Sequence, residues 1–295
     1  MTSASLGRSR SESASSQQDQ PQALGQAVQL KASDGVPLVG RVFEPAGRSR
    51  ASLLALPGIG VPQRVFRHAA AWLRQRGVRV VSMDYRGVGE SVHPDACPTA
   101  SLTAWATRDA VCGLDFVRST YDDAPVLLAH SFGGQILGLA DELRGVRRAI
   151  LVGSQLGHPQ HWRGWSRVQV EFFWRCWLPL AGLVSDPLPR WALGERLPLG
   201  VARQWRAWAT SGDWLFEEFP DARDRFADFR APLLMCSSRD DTIAPPHAVR
   251  ALLACFRSAP TDLIDIESQR VGHVGFFRPG FEWLWERWLD FAVSR

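Results

Sequence analysis

The sequence predicts an α/β protein in which a mostly parallel sheet is flanked by helices. Short, continuous apolar runs of strand length alternate with longer amphipathic stretches from about residue 50 to the end of the chain. Runs of this kind have the pattern of strands buried on both faces, which parallel sheets require. One such run leads directly into a serine flanked by small residues, a turn rather than a continued strand. Overall composition is also globular, with 45% apolar and 22% charged residues in 295 positions.

Taken in order, residues 1–24 are rich in Ser and Gln and poor in large apolar groups, which predicts a disordered tail. Residues 27–32 and 36–43 flank the turn signal Ser33-Asp34-Gly35 and predict a hairpin. Strands are expected at 52–56, 78–83, 125–129, 148–152, 233–236 and 263–266. Helices are expected at 65–75, 102–118, 134–143, 246–255 and 281–293. The core is therefore assigned to residues 25–154 and 229–295.

Residues 155–228 differ in composition and are assigned to an inserted helical lid. Eight of the thirteen tryptophans fall there: Trp162, Trp165, Trp174, Trp177, Trp191, Trp205, Trp208 and Trp214. Pro179, Pro187, Pro189, Pro198 and Pro220 divide the segment into short helices. Most tryptophans should pack the lid's own core, while Trp165, Trp174 and Trp205 are assigned to the wall of an apolar substrate pocket. The apolar run at 172–184 is too short to span a bilayer and is expected as a buried lid helix.

Several functional classes are disfavoured. No uncharged stretch is long enough for a membrane span, and the first 22 residues lack the apolar core of a signal peptide, so a cytoplasmic protein is expected. Five scattered cysteines without a CxxC spacing predict free thiols, neither a disulfide frame nor a zinc site. The net charge of +4 comes from arginines spread along the chain, with Lys31 the only lysine, so no nucleic-acid surface is indicated. His158 and His161 form an H-x-x-H pair with no third ligand nearby, and no metal is expected. No spacing implies an organic cofactor, and oligomeric state is left open.

The strongest chemical signal is Leu127-Leu128-Ala129-His130-Ser131-Phe132-Gly133-Gly134. A buried strand, a serine and a following helix place the hydroxyl at the carboxyl edge of the sheet, where ligands of open α/β sheets bind. The pattern matches the nucleophile elbow G-x-S-x-G except that Ala129 replaces the first glycine. A serine hydroxyl needs a base oriented by a carboxylate to act as a nucleophile. His273 is the candidate base, set between Gly272 and Gly275 after the last strand. The candidate acid is Asp241, in Asp241-Thr242-Ile243-Ala244-Pro245 after the strand at 233–236. The loop resembles the α/β-hydrolase pattern D-x-I-x-P, which Asp241 fits and Asp240 does not. That resemblance implies Asp241 as the acid, with Ile243 expected to anchor the loop on the core. The chain order Ser131, Asp241, His273 is the order found in α/β-hydrolases. An oxyanion would be held by the backbone N–H of Phe132 and of Ile59, the latter in Pro57-Gly58-Ile59-Gly60.

On these residues the chain resembles the α/β-hydrolase superfamily over about residues 26–295, and within it a bacterial group of serine α/β-hydrolases. The resemblance also rests on Asp84-Tyr85-Arg86-Gly87-Val88-Gly89-Glu90-Ser91, on 197–205, and on 272–278. It implies the α/β-hydrolase fold and a serine hydrolase acting on an ester or thioester of a small apolar molecule through an acyl-enzyme. Proline at position 57 departs from the histidine that many relatives carry in the oxyanion turn. The same residues would also serve an acyltransferase or a peptidase. A ligand-binding module on this fold would not need Asp241 and His273.

Overall fold

The computed structural model describes residues 25–183, 185–190 and 195–294. The expected tail at 1–24 lies outside the described residues, as do Val184 and Trp191. Eight strands form one sheet in the spatial order β1-β2-β4-β3-β5-β6-β7-β8. They are β1 (Gln26–Lys31), β2 (Pro37–Phe43), β3 (Ala51–Leu56), β4 (Val78–Met83), β5 (Val126–His130), β6 (Arg148–Val152), β7 (Leu233–Ser238) and β8 (Thr261–Ile266). β1 and β2 pair antiparallel, as do β2 and β4, and every later pairing is parallel.

The alternation of side chains along each strand divides the core in two. Leu54, Leu56, Leu127, Ala129 and Leu151 point to one face. Leu53, Ala55, Leu128, Ile150 and Val152 point to the other. The second face is covered by α1 (Arg67–Gln75) and the C-terminal helix Glu282–Val293, through Phe66, Leu73, Leu284, Trp285 and Trp288. The first face carries the helix Val111–Tyr121 and the helical segment between β6 and β7. A buried ion cluster pins its edge, where the Arg86 guanidinium is held by Asp34 and Asp109 at 2.6 and 2.7 Å. The D-x-R-G loop is thus a structural brace from the hairpin to the helices.

Two helical expectations are corrected. The stretch 134–143 is not one helix but α-helix Phe132–Gln135, a 3-10 turn Ile136–Gly138 and a second 3-10 turn Asp141–Gly145. Gly133, Gly134 and Gly138 lower its helix propensity, and packing from all sides replaces the missing turns. The run 172–184 is helical over its described part, yet it is not buried. Trp174, Leu178 and Ala181 face inward, while Phe172, Leu180 and Leu183 are at least 59% exposed. Among the described residues no helix is long and apolar enough to cross a membrane.

Candidate active site

β5 is buried along its whole length and delivers Ser131 at the sheet's carboxyl edge. Ser131 has φ 53° and ψ −118°, in the region that favours glycine. Its amide donates to the carbonyl of Val152 on β6 at 2.9 Å, which ties the strained turn to the neighbouring strand. Only glycine fits at Gly133, because a Cβ there would lie 2.5 Å from the Leu56 carbonyl oxygen. Ala129 is fully buried against the first face, so the extra methyl of the departure from glycine is packed.

The turn after β3 comes against the serine in the same way. A Cβ on Gly58 would lie 2.7 Å from Ser131 Cβ and 3.3 Å from its Oγ. Ile59, the next residue, lines the same cavity as Ser131, and Phe132 opens the helix that follows the serine. Among the described residues neither the Ile59 nor the Phe132 amide donates a hydrogen bond within the protein.

β7 runs two residues further than expected, to Ser238, and the following loop separates the two aspartates. Asp241 Oδ2 lies 2.8 Å from His273 Nδ1, with the carboxylate fully buried. Its Oδ1 accepts the amides of Ile243 at 2.9 Å and Ala244 at 2.8 Å. These amides hold the carboxylate in place. The expected anchoring role of Ile243 is corrected: its side chain is 49% exposed and lines the cavity instead. Asp240 accepts from Ser238 Oγ and from the amides of Val271 and Gly272, so it fastens the base of the His273 loop. Its slight burial pushes the carboxyl pKa up, but those hydrogen bonds outweigh that and the net displacement is downward.

His130, the x position between Ala129 and Ser131 in the elbow motif, is a neighbour of the site to which the motif assigns no role. It is wholly buried, and its Nε2 lies 2.8 Å from the His273 carbonyl oxygen. That geometry requires a proton on Nε2, leaving Nδ1 as an acceptor without a partner among the described residues. Burial, reinforced by the nearby His273, pushes its pKa down to about 3. The signal in the sequence was its place on the last residue of a buried strand beside the serine.

Ser131 and His273 open onto a cavity of about 530 Å³ that Ile59, Trp205 and Ile243 also line. Trp205 and Ile243 are shared with a second space of about 390 Å³ walled by Trp162, Val170, Phe173 and Trp174. Trp174 and Trp205 meet edge to face at 4.7 Å, and Trp162 donates its indole N–H to the Thr242 carbonyl. The assignment of Trp165 to the pocket is corrected. It sits in the first turn of the helix Gly164–Phe172, 72% exposed, and the wall position belongs to Trp162. Trp208 and Trp214 pack in the core, and Trp208 lies 6.4 Å from Phe132. Among the described residues no cluster of three His, Cys, Asp or Glu side chains could hold a metal ion.

Ser131, strained at the sheet edge, thus shares a cavity wall with His273, which buried Asp241 holds by Nδ1. The chain belongs to the α/β hydrolase family, whose sequence model matches residues 53–282. Solved structures share the fold at low identity. An esterase from Exiguobacterium antarcticum superimposes with a TM-score of 0.63 and 18% identity, over 91% of this chain and all of that one. An esterase from Pyrococcus furiosus gives 0.59 and 14%, over 92% and 93%. A Xanthomonas campestris serine hydrolase without a lid gives 0.55 and 18%, over 91% and 93%. No curated protein sequence matches the chain.

Proposed function

We propose that the protein is a serine hydrolase that cleaves an ester or thioester through an acyl-enzyme. The reading is carried by one observation above the rest: the Asp241–His273 hydrogen bond on the same cavity wall as the strained Ser131. In the proposed reaction His273 Nε2 takes the Ser131 proton as Oγ attacks the substrate carbonyl. Asp241 holds the imidazole by Nδ1 and stabilises its charged form. The amides of Ile59 and Phe132 receive the negative charge on the carbonyl oxygen. Collapse breaks the carbonyl's bond to the leaving group, which takes the proton from His273. Water, deprotonated by the same histidine, then attacks the acyl-serine and releases acid and free enzyme.

Residues 155–228 act as the lid in this reading, and the aromatic space under Trp162, Trp174 and Trp205 receives an apolar group of the substrate. The test is covalent labelling by a fluorophosphonate, together with turnover of nitrophenyl esters. Ser131→Ala should abolish labelling and lower kcat by about a thousandfold or more. Turnover retained within about tenfold would rule out the covalent mechanism.

A further inference from the structure

The wall of the Ser131 cavity away from the tryptophans is cationic. Arg64 and Arg67, one turn apart where α1 begins, line it together with Val61 and His273. Beyond them the space continues into a neighbouring cavity of about 350 Å³, which shares both arginines and adds Arg190 and Arg196. Glu195 is the only acid on the wall of the serine cavity among the described residues. It already bridges Arg64 and lies 3.5 Å from Arg190. In the neighbouring cavity Glu90 is engaged by Arg41, and buried Asp84 accepts the amides of Gln63 and Glu90. Arg67 and Arg196, both exposed to the cavity, have no carboxylate partner among the described residues.

A purely apolar ester has nothing to offer this wall. A guanidinium presents a planar fork of donors that fits a carboxylate or phosphate, and unpaired forks lining a substrate cavity discriminate by charge. We propose that the arginine wall is a subsite for an anionic group on the substrate, a carboxylate or a phosphate, bound by Arg67 and Arg196. The substrate is then amphiphilic. Its apolar part lies against Trp162, Trp174 and Trp205, its scissile carbonyl at Ser131, and its anion on the opposite side. The position of the carbonyl rests on the serine hydrolase reading; the anion subsite itself does not.

Two matched substrate pairs locate the anion. Nitrophenyl hemiglutarate against nitrophenyl valerate places a carboxylate on the acyl side. Octanoyl-coenzyme A against octanoyl-N-acetylcysteamine places phosphates on the leaving group. In at least one pair the anionic member should have the higher kcat/KM, by about tenfold at low salt. That ratio should fall at least about fivefold in Arg67→Glu, in Arg196→Glu and on raising the salt, because exposed charges are screened. Arg257→Glu, an equal charge change on the exposed surface away from both cavities, should leave the ratio where it is. Neither pair favouring the anion, or a ratio unmoved by both cavity substitutions, would overturn the proposal. A binding measurement on the full chain separates this from the chemistry. Calorimetric binding of glutarate or coenzyme A should weaken in Arg67→Glu even if no ester is turned over and no fluorophosphonate reacts. Such a result would sink the hydrolase reading and keep the subsite, whereas no binding of either anion to the wild-type protein would sink the subsite.

Discussion

Asp240 and Asp241 are chemically identical neighbours whose hydrogen bonds give them different work. Asp241 is committed to His273 and to two amides of its own loop, whereas Asp240 spends its oxygens on Val271, Gly272 and Ser238. Asp241→Asn should therefore lose at least about a hundredfold more kcat than Asp240→Asn, since the amide cannot stabilise imidazolium. Asp240→Asn should show its effect mainly as a lower melting temperature, and a reversed kcat ranking would move the acid to Asp240. His130 makes a second prediction, about pH. Its pKa of about 3 in the folded chain lies below the usual 6.5. Between those values the unfolded chain binds a proton that the folded chain refuses, so its contribution to stability is complete above pH 6.5 and drains away as the pH falls. Buried Asp84 runs the other way: burial raises it from 3.8 to about 6, so its protonated form favours the fold as the pH drops through that window. His130→Gln keeps a donor for the His273 carbonyl and removes the titration. Its urea midpoint should decline less between pH 6.5 and 3.8 than that of the wild type. Equal declines would mean that His130 is solvated in the native state. At this scale the sequence disclosed residue types and chain order but not direction. Trp165 and Trp162 are three positions apart and chemically alike, and only the path of the chain into the helix turns one outward.

Elements were legible where local pattern and burial agree. The strands at 78–83 and 148–152 fall on their expected bounds, since a continuous apolar run between polar turns has few other ways to fold. Strand β8 begins two residues early because Thr261 and Asp262 pair with β7 at the exposed edge of the sheet, where a polar residue costs nothing. The stretch after the serine misled for the opposite reason: it is buried on every side, so helical periodicity carries no information about where turns break. Turns, too, are built by contacts between distant elements. Gly58 is required by a serine 73 positions along the chain, and no local signal reports that. Gly58→Ala should push the β3 turn away from Ser131 and carry the Ile59 amide out of place, because the new Cβ would meet Ser131 Cβ at 2.7 Å. The expected result is a loss of kcat of about tenfold to a hundredfold, the cost of weakening one oxyanion donor, with the far-UV spectrum unchanged. Wild-type activity in this variant would remove Ile59 from the site.

At the scale of the molecule, the insertion is distinct in composition but continuous in packing. Its Trp208, Trp214, Leu215, Phe216 and Phe226 belong to the same apolar cluster as Leu54, Leu127 and Leu151 of the sheet. Phe226 closes over Gly138 and meets Phe256 at 5.2 Å, and Trp208 covers Phe132 beside the serine. Each large apolar side chain buried this way contributes about 1.5–3 kcal/mol. Exposing even five or six such contacts would match the whole stability of an ordinary domain, roughly 5–15 kcal/mol. Excision of residues 155–228 should therefore unfold the sheet as well, in contrast to a hinged cap that could be removed from an intact core. The same coupling predicts one thermal transition for the intact chain. Tryptophan fluorescence, weighted toward the insertion by eight of thirteen indoles, should melt together with the far-UV signal of the helices and sheet. Two separated transitions, or a folded excision variant with a sharp melt, would show that the insertion is an independent unit and that the sheet's first face is stable without it.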